Sequence, residues 1–389
     1  MLRRPVAFWF LAALLGLLLF AASAPSPIYP LYEERWGFSP VTLTAVFAVY
    51  ALALLVTLLV TGRLSDHLGR RPVLAAGLAL QVGAMLAFVL ADRVALLFVA
   101  RAAQGVATGL ATATISAWLI DLQPAERPTL GGTVAAIAPQ LGLAAGALVS
   151  GILVEYGPDP LRLVFWILVP SYALALLVLP AVEDVAERRS GALASLAPRV
   201  GVPAPARRLF VTAAPALVAT WALGGLYLSL GPSLANDLLG TDSQLAGGLV
   251  IVALTGVGAL VSALGMRVAA ELLISRGCLA LLVGVAVTLV AVATDSAALL
   301  YLGSVIAGAG FGPTFTGVFR GLAPLAPPQS RGALVAAIYV VSYLAFSVPA
   351  VIAGIAVDHW GLSTATYGYG AVVIALAGFT ALAIRRRPR

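Results

Sequence analysis

Lysine is missing from this chain, and all 23 basic residues are arginine. Without a lysine amine there is no Schiff-base chemistry and no proton release from a depressed ammonium, and a phosphate-binding loop has no lysine to offer. Histidine and cysteine are almost as scarce: His67, His359 and Cys278 are the full complement. One cysteine forms no intrachain disulfide, and two histidines that the topology below assigns to opposite membrane sides make no metal ligand set. No cofactor, no metal and no enzymatic activity is therefore expected. Charge is the broadest shortage. Only 10% of the residues are charged, against about 25% in a soluble globular domain, which is too few to clothe the surface of a chain this long in water-facing groups.

What fills the sequence instead is apolar, with 61% hydrophobic residues and a mean hydropathy of +1.03. Glycine and proline are abundant as well, and both are tolerated in packed transmembrane helices. Apolar runs of about 20 residues, the length that crosses a bilayer, fall at 6–24, 41–62, 72–91, 94–118, 129–153, 163–181, 209–231, 245–265, 277–294, 297–319, 332–356 and 364–384. The expected fold is all-α: a polytopic membrane protein of twelve transmembrane helices.

With the N-terminus placed in the cytoplasm, nineteen arginines fall in inner segments, among them Arg3, Arg4, Arg188, Arg189 and the tail from Arg385, while only Arg35, Arg93 and Arg162 fall in outer loops. This asymmetry puts both termini in the cytoplasm of a multi-pass protein of the bacterial inner membrane. The basic pI of about 9.9 then reports topology and contact with lipid headgroups, with no need of a nucleic-acid partner. Residues 1–24 end in Ala22-Ser23-Ala24, as a signal peptide can, but removing them would leave an odd number of spans and strand the arginine-rich tail. They are read as the first span.

The longest polar connection, 182–208, follows the sixth span, with Glu183, Asp184 and Glu187 and then an Ala/Pro-rich stretch. It divides the chain into an N-terminal bundle, 1–181, a cytoplasmic linker, 182–208, and a C-terminal bundle, 209–389. The halves echo one another at an offset of about 203 residues. Gly151-Ile-Leu-Val-Glu155-Tyr-Gly157 returns as Gly354-Ile-Ala-Val-Asp358-His359-Trp-Gly361, and Gly105 and Gly109 fall opposite Gly308 and Gly312. Repeated six-helix units are built for a midplane cavity that opens alternately to either side.

The inner end of the second span reads Gly62-Arg63-Leu64-Ser65-Asp66-His67-Leu68-Gly69-Arg70-Arg71. Gly62 and Gly69 permit a tight turn, and Asp66 can pair with the arginines around it. The segment resembles the G-x-L-(a/s)-D-r-x-G-R-R signature between helices two and three of the major facilitator superfamily, and with the twelve spans and repeated halves the likeness covers the whole chain. It points to the drug-efflux-like branch. The resemblance implies two six-helix bundles related by pseudo-two-fold symmetry and a cytoplasmic gate made by Gly62, Arg63, Asp66, Gly69, Arg70 and Arg71. It also implies that Asp66 meets the inner start of helix eleven, near Gly332, where helical N–H groups favour a carboxylate.

Arg101 is the one charged residue well inside a span. An arginine at the centre of a membrane helix costs on the order of 3 kcal/mol unless it faces protein or a wet cavity. Its surroundings, Arg101-Ala-Ala-Gln104-Gly105, resemble the family's R-x-x-q-G element in helix four, which implies a place on the central cavity with Gln104 on the same face. The alternative is an arginine reaching outward to the headgroups. The fifth span holds Gly142, Gly146, Ala147, Ser150 and Gly151, similar to the G-x-x-x-G-P-x-x-G-G core of antiporters but with Ala147 where that element has proline. The substitution weakens the antiport reading and leaves the close packing of small residues in place.

By family analogy helices one, four, seven and ten line the cavity and contribute Trp9, Gln104, Thr108, Thr112, Trp221, Tyr227, Ser304 and Thr314. Such a wall is aromatic and apolar, suited to amphipathic or hydrophobic solutes. All sixteen acidic residues fall in loops or near helix ends. Should protons be the coupling ion, Arg101 is expected to work with Glu33 or Glu34 of the first outer connection. The expected function is a monomeric secondary transporter that exports a small solute by alternating access, by proton antiport in one version. An uptake permease for a metabolite and a non-transporting receptor or assembly factor are the alternatives.

Overall fold

The computed structural model describes residues 1–184 and 190–385. Twelve helices among them are long and apolar enough to cross a membrane: α1 (Arg4–Ser23), α2 (Pro40–Thr61), α3 (Arg70–Val89), α4 (Val94–Leu122), α5 (Leu130–Tyr156), α6 (Leu163–Val178), α7 (Ala204–Ser229), α8 (Gln244–Leu264), α9 (Ala270–Ala293), α10 (Ala297–Leu322), α11 (Arg331–Trp360) and α12 (Leu362–Arg385). Their ends follow local rules. Pro40 opens α2 at a position where no N–H is needed, and the hydroxyls of Ser243 and Ser296 cap α8 and α10 by accepting the amides of Ala246 and Leu299. Gly69, at φ +99°, makes the turn into α3, a conformation costly for any side chain.

The helices form two bundles of six; one buried core fills the first and reaches across to Ile251, Phe346, Ala350 and Ala353, and another fills the second, while Leu177, Val211 and Leu264 are among the large apolar side chains left on the outside, where lipid replaces water. An even number of crossings brings both ends of the chain to one side, called here the terminal face; the other is the distal face. The repeat extends further than the sequence motifs. After α1 comes a short helix, Tyr29–Trp36, and after α7 another, Gly231–Leu239. The stretch holding Glu33 and Glu34 is thus helical, with Tyr29 and Tyr32 buried beneath it.

One boundary moves. Helix α7 begins at Ala204, ahead of the apolar run at 209, because Arg207 and Arg208 ride on its exposed side and Ala206 and Leu209 on its buried one. A run-length reading stops at such arginines; a helix does not. Of the linker, residues 182–184 and 190–203 are described; Glu187, Arg188 and Arg189 lie outside the described residues, as do the tail arginines from 386 onward.

The halves meet where α5 packs on α8 and α2 on α11, most closely near the distal face. A side chain at Gly354 of α11 would strike Thr44 and the Pro40 carbonyl of α2, and one at Gly151 of α5 would press on Leu245 of α8. Near the terminal face Gly132 of α5 and Gly332 of α11 have nothing within 4 Å of where a Cβ would stand.

Candidate functional site

Arg101 of α4 is completely buried, so it does not reach the headgroups. Its Nη1 donates to the Ala22 carbonyl at 3.0 Å and to Gln104 Oε1 at 2.8 Å, and Gln104 Nε2 donates to the Ala21 carbonyl at 2.8 Å. Helix α1 supplies these acceptors because it ends here. Pro25 has no N–H to return to Ala21, so that carbonyl is left for a side chain.

Three rings surround the guanidinium, with centroids 4.7 Å (Tyr50), 5.7 Å (Tyr29) and 5.8 Å (Phe47) from its carbon, distances at which cation–π attraction operates. Glycine sets the approach. A Cβ at Gly105 would lie 2.3 Å from the Tyr50 carbonyl, and one at Gly109 would lie 2.8 Å from Thr57 Cβ. Only with both absent can the α2 backbone lie on α4 and hold Phe47 and Tyr50 over Arg101. The Tyr29 hydroxyl faces the guanidinium outside hydrogen-bond geometry, and Nε and Nη2 of Arg101 make no hydrogen bond.

From this point aromatic rings continue into the second half. Phe47 meets Phe346 of α11 at 4.8 Å, Phe346 meets Trp221 of α7 at 5.7 Å, and Trp221 meets Tyr343 at 5.0 Å and Phe315 of α10 at 5.4 Å. Tyr339 and Phe319 follow, at 6.0 Å and 6.2 Å from Tyr343 and Phe315. Since α11 starts at the terminal face and α10 ends there, the run descends from the buried arginine toward that face. Trp221, Phe315, Tyr339 and Tyr343 are half-buried, and the Trp221 indole N–H has no acceptor.

The residues expected in the cavity do not all gather here. Gln104 and Trp221 belong to the cluster, and Thr108 faces Tyr50. Trp9 does not. It sits thirteen residues before Ala22, on the order of 20 Å along α1 at 1.5 Å per residue, and is 58% exposed. Its neighbours Phe8, Leu11, Leu15 and Leu18 occupy the packed face, which leaves Trp9 turned away. Tyr227 is buried within the second bundle, where its hydroxyl bonds Ser304 and Thr288 at 3.2 Å each. The cavity beside it, of about 20 Å³, holds a water at most. Glu33 and Glu34 are not paired with Arg101 either: Glu34 is exposed, and Glu33 lies within electrostatic reach of Asp358. Tyr29 takes the place beside the arginine because it precedes Glu33 by one helical turn.

In the gate segment Arg70 is buried and bonds Ser65 Oγ, Asp66 and Asp121. Asp66 thus closes on its own loop in this arrangement, its ion pair among the described residues being with Arg70. The linker fills the role of neighbour. Asp184 accepts the first two amides of α3, those of Arg70 and Arg71, at 3.2 and 3.1 Å. Arg71 donates to the Val182 carbonyl, Arg63 to the carbonyls of Ser195 and Ala197, and Gly201 N–H to Ala333 of α11. In α5, a Cβ at Gly142 would lie 2.2 Å from the Gly16 carbonyl and one at Gly146 2.2 Å from the Phe20 carbonyl, so both serve the crossing with α1, while Gly151 faces α8.

The repeated Gly151/Gly354 element holds a residue that the sequence reading passed over. Glu155 lies one turn beyond Gly151, and its Oε2 accepts Ser243 Oγ and the Gln244 amide at 3.1 Å each. A carboxylate of the first half thereby caps the N-terminus of α8 in the second. Phe47, Tyr50, Tyr343 and Phe346 were also passed over, for an aromatic in an apolar run carries no signal of its own; the paired glycines Gly105 and Gly109 were the available clue to what packs on α4.

Two six-helix bundles that repeat one another and pack most closely near the distal face define a class: a polytopic membrane protein of twelve helices. A profile of the Major Facilitator Superfamily matches residues 9–350, and the chain belongs to that family. It is 34% identical over 151 residues to Rv1250, an uncharacterised MFS-type transporter of Mycobacterium tuberculosis, and 33% identical over 141 residues to the cephamycin export protein CmcT of Amycolatopsis lactamdurans. It is 27% identical over 185 residues to the rat MFS-type transporter SLC18B1. These stretches cover 38%, 36% and 45% of this chain but only 24%, 29% and 40% of the respective relatives, less than half of each. Among solved structures, the chain matches a peptide transporter POT in complex with sulfate with a TM-score of 0.79 at 15% identity, over 98% of this chain and 94% of that one. It matches a bacterial homologue of the human lysosomal transporter Spinster, in an inward-facing and unoccupied conformation, with a TM-score of 0.77 at 14% identity, over 98% and 97%. At such identities the likeness shows the fold.

Proposed function

We propose that the chain is a secondary transporter that moves small amphipathic or hydrophobic solutes out of a bacterial cell by alternating access. Both termini are assigned to the cytoplasm by the arginine asymmetry of the loops, which makes the distal face the outer one and this arrangement inward-open. The single observation that carries the reading is the descent of aromatic rings from buried Arg101, beneath a closed outer seam, to the terminal face. A solute entering from the cytoplasm or the inner leaflet meets apolar rings first and the cation last. The name of the cephamycin exporter agrees with this direction. Bundles 1–181 and 209–389 rock about the seam, the linker joins them, lipids surround them, and one copy suffices.

Export is coupled to protons in this reading, through carboxylates outside the Arg101 cluster: Glu33 and Asp358, which lie within electrostatic reach of one another. Accumulation of a compound panel is compared in cells lacking the protein and in cells expressing it or its Arg101→Ala variant. Lower intracellular levels with the intact protein alone are expected, and no change for any compound would overturn transport. Flux in everted vesicles that persists after the pH gradient is collapsed would remove protons from the account.

A further inference from the structure

We infer that the solute carries a negative charge: Arg101 takes the anionic group of an organic anion, whose flat apolar body lies along Phe346, Trp221 and Tyr343. The inference rests on the transport reading above and narrows its substrate class.

The argument starts from the charge balance at Arg101. Guanidinium keeps its proton at any physiological pH, and burial of a cation is tolerated when a counter-charge or a full set of acceptors meets it. Neither is present. The ion pairs among the described residues join Arg70 to Asp66 and Asp121, and Arg93 to Asp92; Arg101 is in none of them. Its acceptors are one backbone carbonyl and one amide oxygen, both on Nη1, while Nε and Nη2 stay open. These two atoms form the edge of the guanidinium that grips a carboxylate with two parallel hydrogen bonds. Three ring faces partly compensate the charge and leave that edge unmet. The Tyr29 hydroxyl faces the guanidinium but is outside hydrogen-bond geometry, so the acceptor that the open edge lacks is one an acidic ligand can supply.

The rest of the ligand follows from what adjoins the edge. Phe47 links Arg101 to Phe346 in one ring contact, and Trp221 and Tyr343 follow in the next two. Such a wall offers stacking surfaces and the single unmatched N–H of Trp221. A sugar or a bare inorganic ion would leave it unused; a flat hydrophobic body with one acidic group would cover it.

A charge series on one ring system tests this. Binding of 2-naphthoate, 2-naphthamide and 2-naphthylmethylammonium to the full-length protein in nanodiscs is measured by equilibrium dialysis. Naphthoate is expected to bind about tenfold or more tighter than the amide, with the ammonium weakest. Arg101→Gln is expected to abolish that preference while retaining amide binding, which reports that the variant is folded; Arg101→Lys keeps part of the preference. Trp221→Ala weakens acid and amide alike. Equal binding of acid and amide, a preference for the ammonium, preference surviving in Arg101→Gln, or no binding of any probe at its solubility limit would overturn the anion assignment. So would displacement of naphthoate by chloride in place of gluconate, which would make the site one for small inorganic ions. If the accumulation panel shows export of neutral or cationic compounds while naphthoate has no advantage, transport stands and this inference alone falls.

Discussion

Tyr50 stands nearest the Arg101 carbon of the three rings, and its two parts can be separated by substitution. Tyr50→Phe keeps the ring and is expected to change the initial rate of solute transport by no more than about twofold, whereas Tyr50→Leu removes a desolvated cation–π contact of about 2 kcal/mol and is expected to lower it about tenfold or more. Equal losses in both variants would move the role from the ring to the hydroxyl. Gln104 answers to a different readout. Gln104→Leu leaves the Ala21 carbonyl and one Arg101 bond without partners, and buried polar groups so stranded cost about 1–3 kcal/mol each; a lower unfolding temperature of the purified protein checks it. Arg101 and Gln104 were legible in the sequence because a charge in an apolar run has few places to go. Trp9 misled for the opposite reason: a tryptophan in a spanning helix is as comfortable facing outward as inward, and the helical phase set by Leu11, Leu15 and Leu18 decided against it. Glu33 and Glu34 were placed by proximity along the chain, yet a short helix rotated Tyr29 into the position considered for them.

Between helices, small residues and one carboxylate carry the expectations. A methyl at position 146 has no room, its Cβ lying 2.2 Å from the Phe20 carbonyl and 2.3 Å from Ser23 Oγ. Gly146→Ala is therefore expected to push α1 and α5 apart and destabilise the protein by about 1–3 kcal/mol, read as a lower midpoint in thermal unfolding. Glu155→Gln keeps the shape of the cap on α8 and removes its charge, a change of about 1 kcal/mol at a helix N-terminus. A cysteine at Ala24, which is fully buried under the distal seam, is expected to react about fivefold faster with a membrane-impermeant maleimide when Glu155→Gln is added to a Cys278→Ser background; an unchanged rate would show that the cap does not hold the seam. Span positions were readable from run length alone. Span extents were not, since α7 gains its first turn from Arg207 and Arg208 on a solvated side, and the helix at Tyr29–Trp36 is recognisable only beside its counterpart at Gly231–Leu239.

Across the molecule, the linker behaves as a strap rather than a slack connection, tied to the first bundle through Asp184, Arg63 and Arg71 and to α11 through Gly201. Asp184→Ala removes an acceptor shared by two amides of α3, and cleavage within 190–203 by a protease supplied on the terminal face is expected to rise several-fold; unchanged cleavage would mean the remaining bonds hold the strap alone. Composition carried the reading at this scale: scarce charge, arginines on alternate loops and an internal repeat were enough for the two-bundle fold. They were silent on which face is closed, because that depends on backbone approaches at Gly151 and Gly354 that no linear pattern displays. The glycine-backed seating of α2 on α4 has a last implication. It lodges the arginine and all three of its ring neighbours in a single rigid bundle, while Trp221, Phe315, Tyr343 and Phe346 belong wholly to the other. If the solute is the organic anion proposed above, recognition of ionic character and recognition of outline are heritable apart from one another, and a hybrid that borrowed its C-terminal bundle from a cousin is expected to change the silhouettes it accepts without changing the sign of charge it prefers.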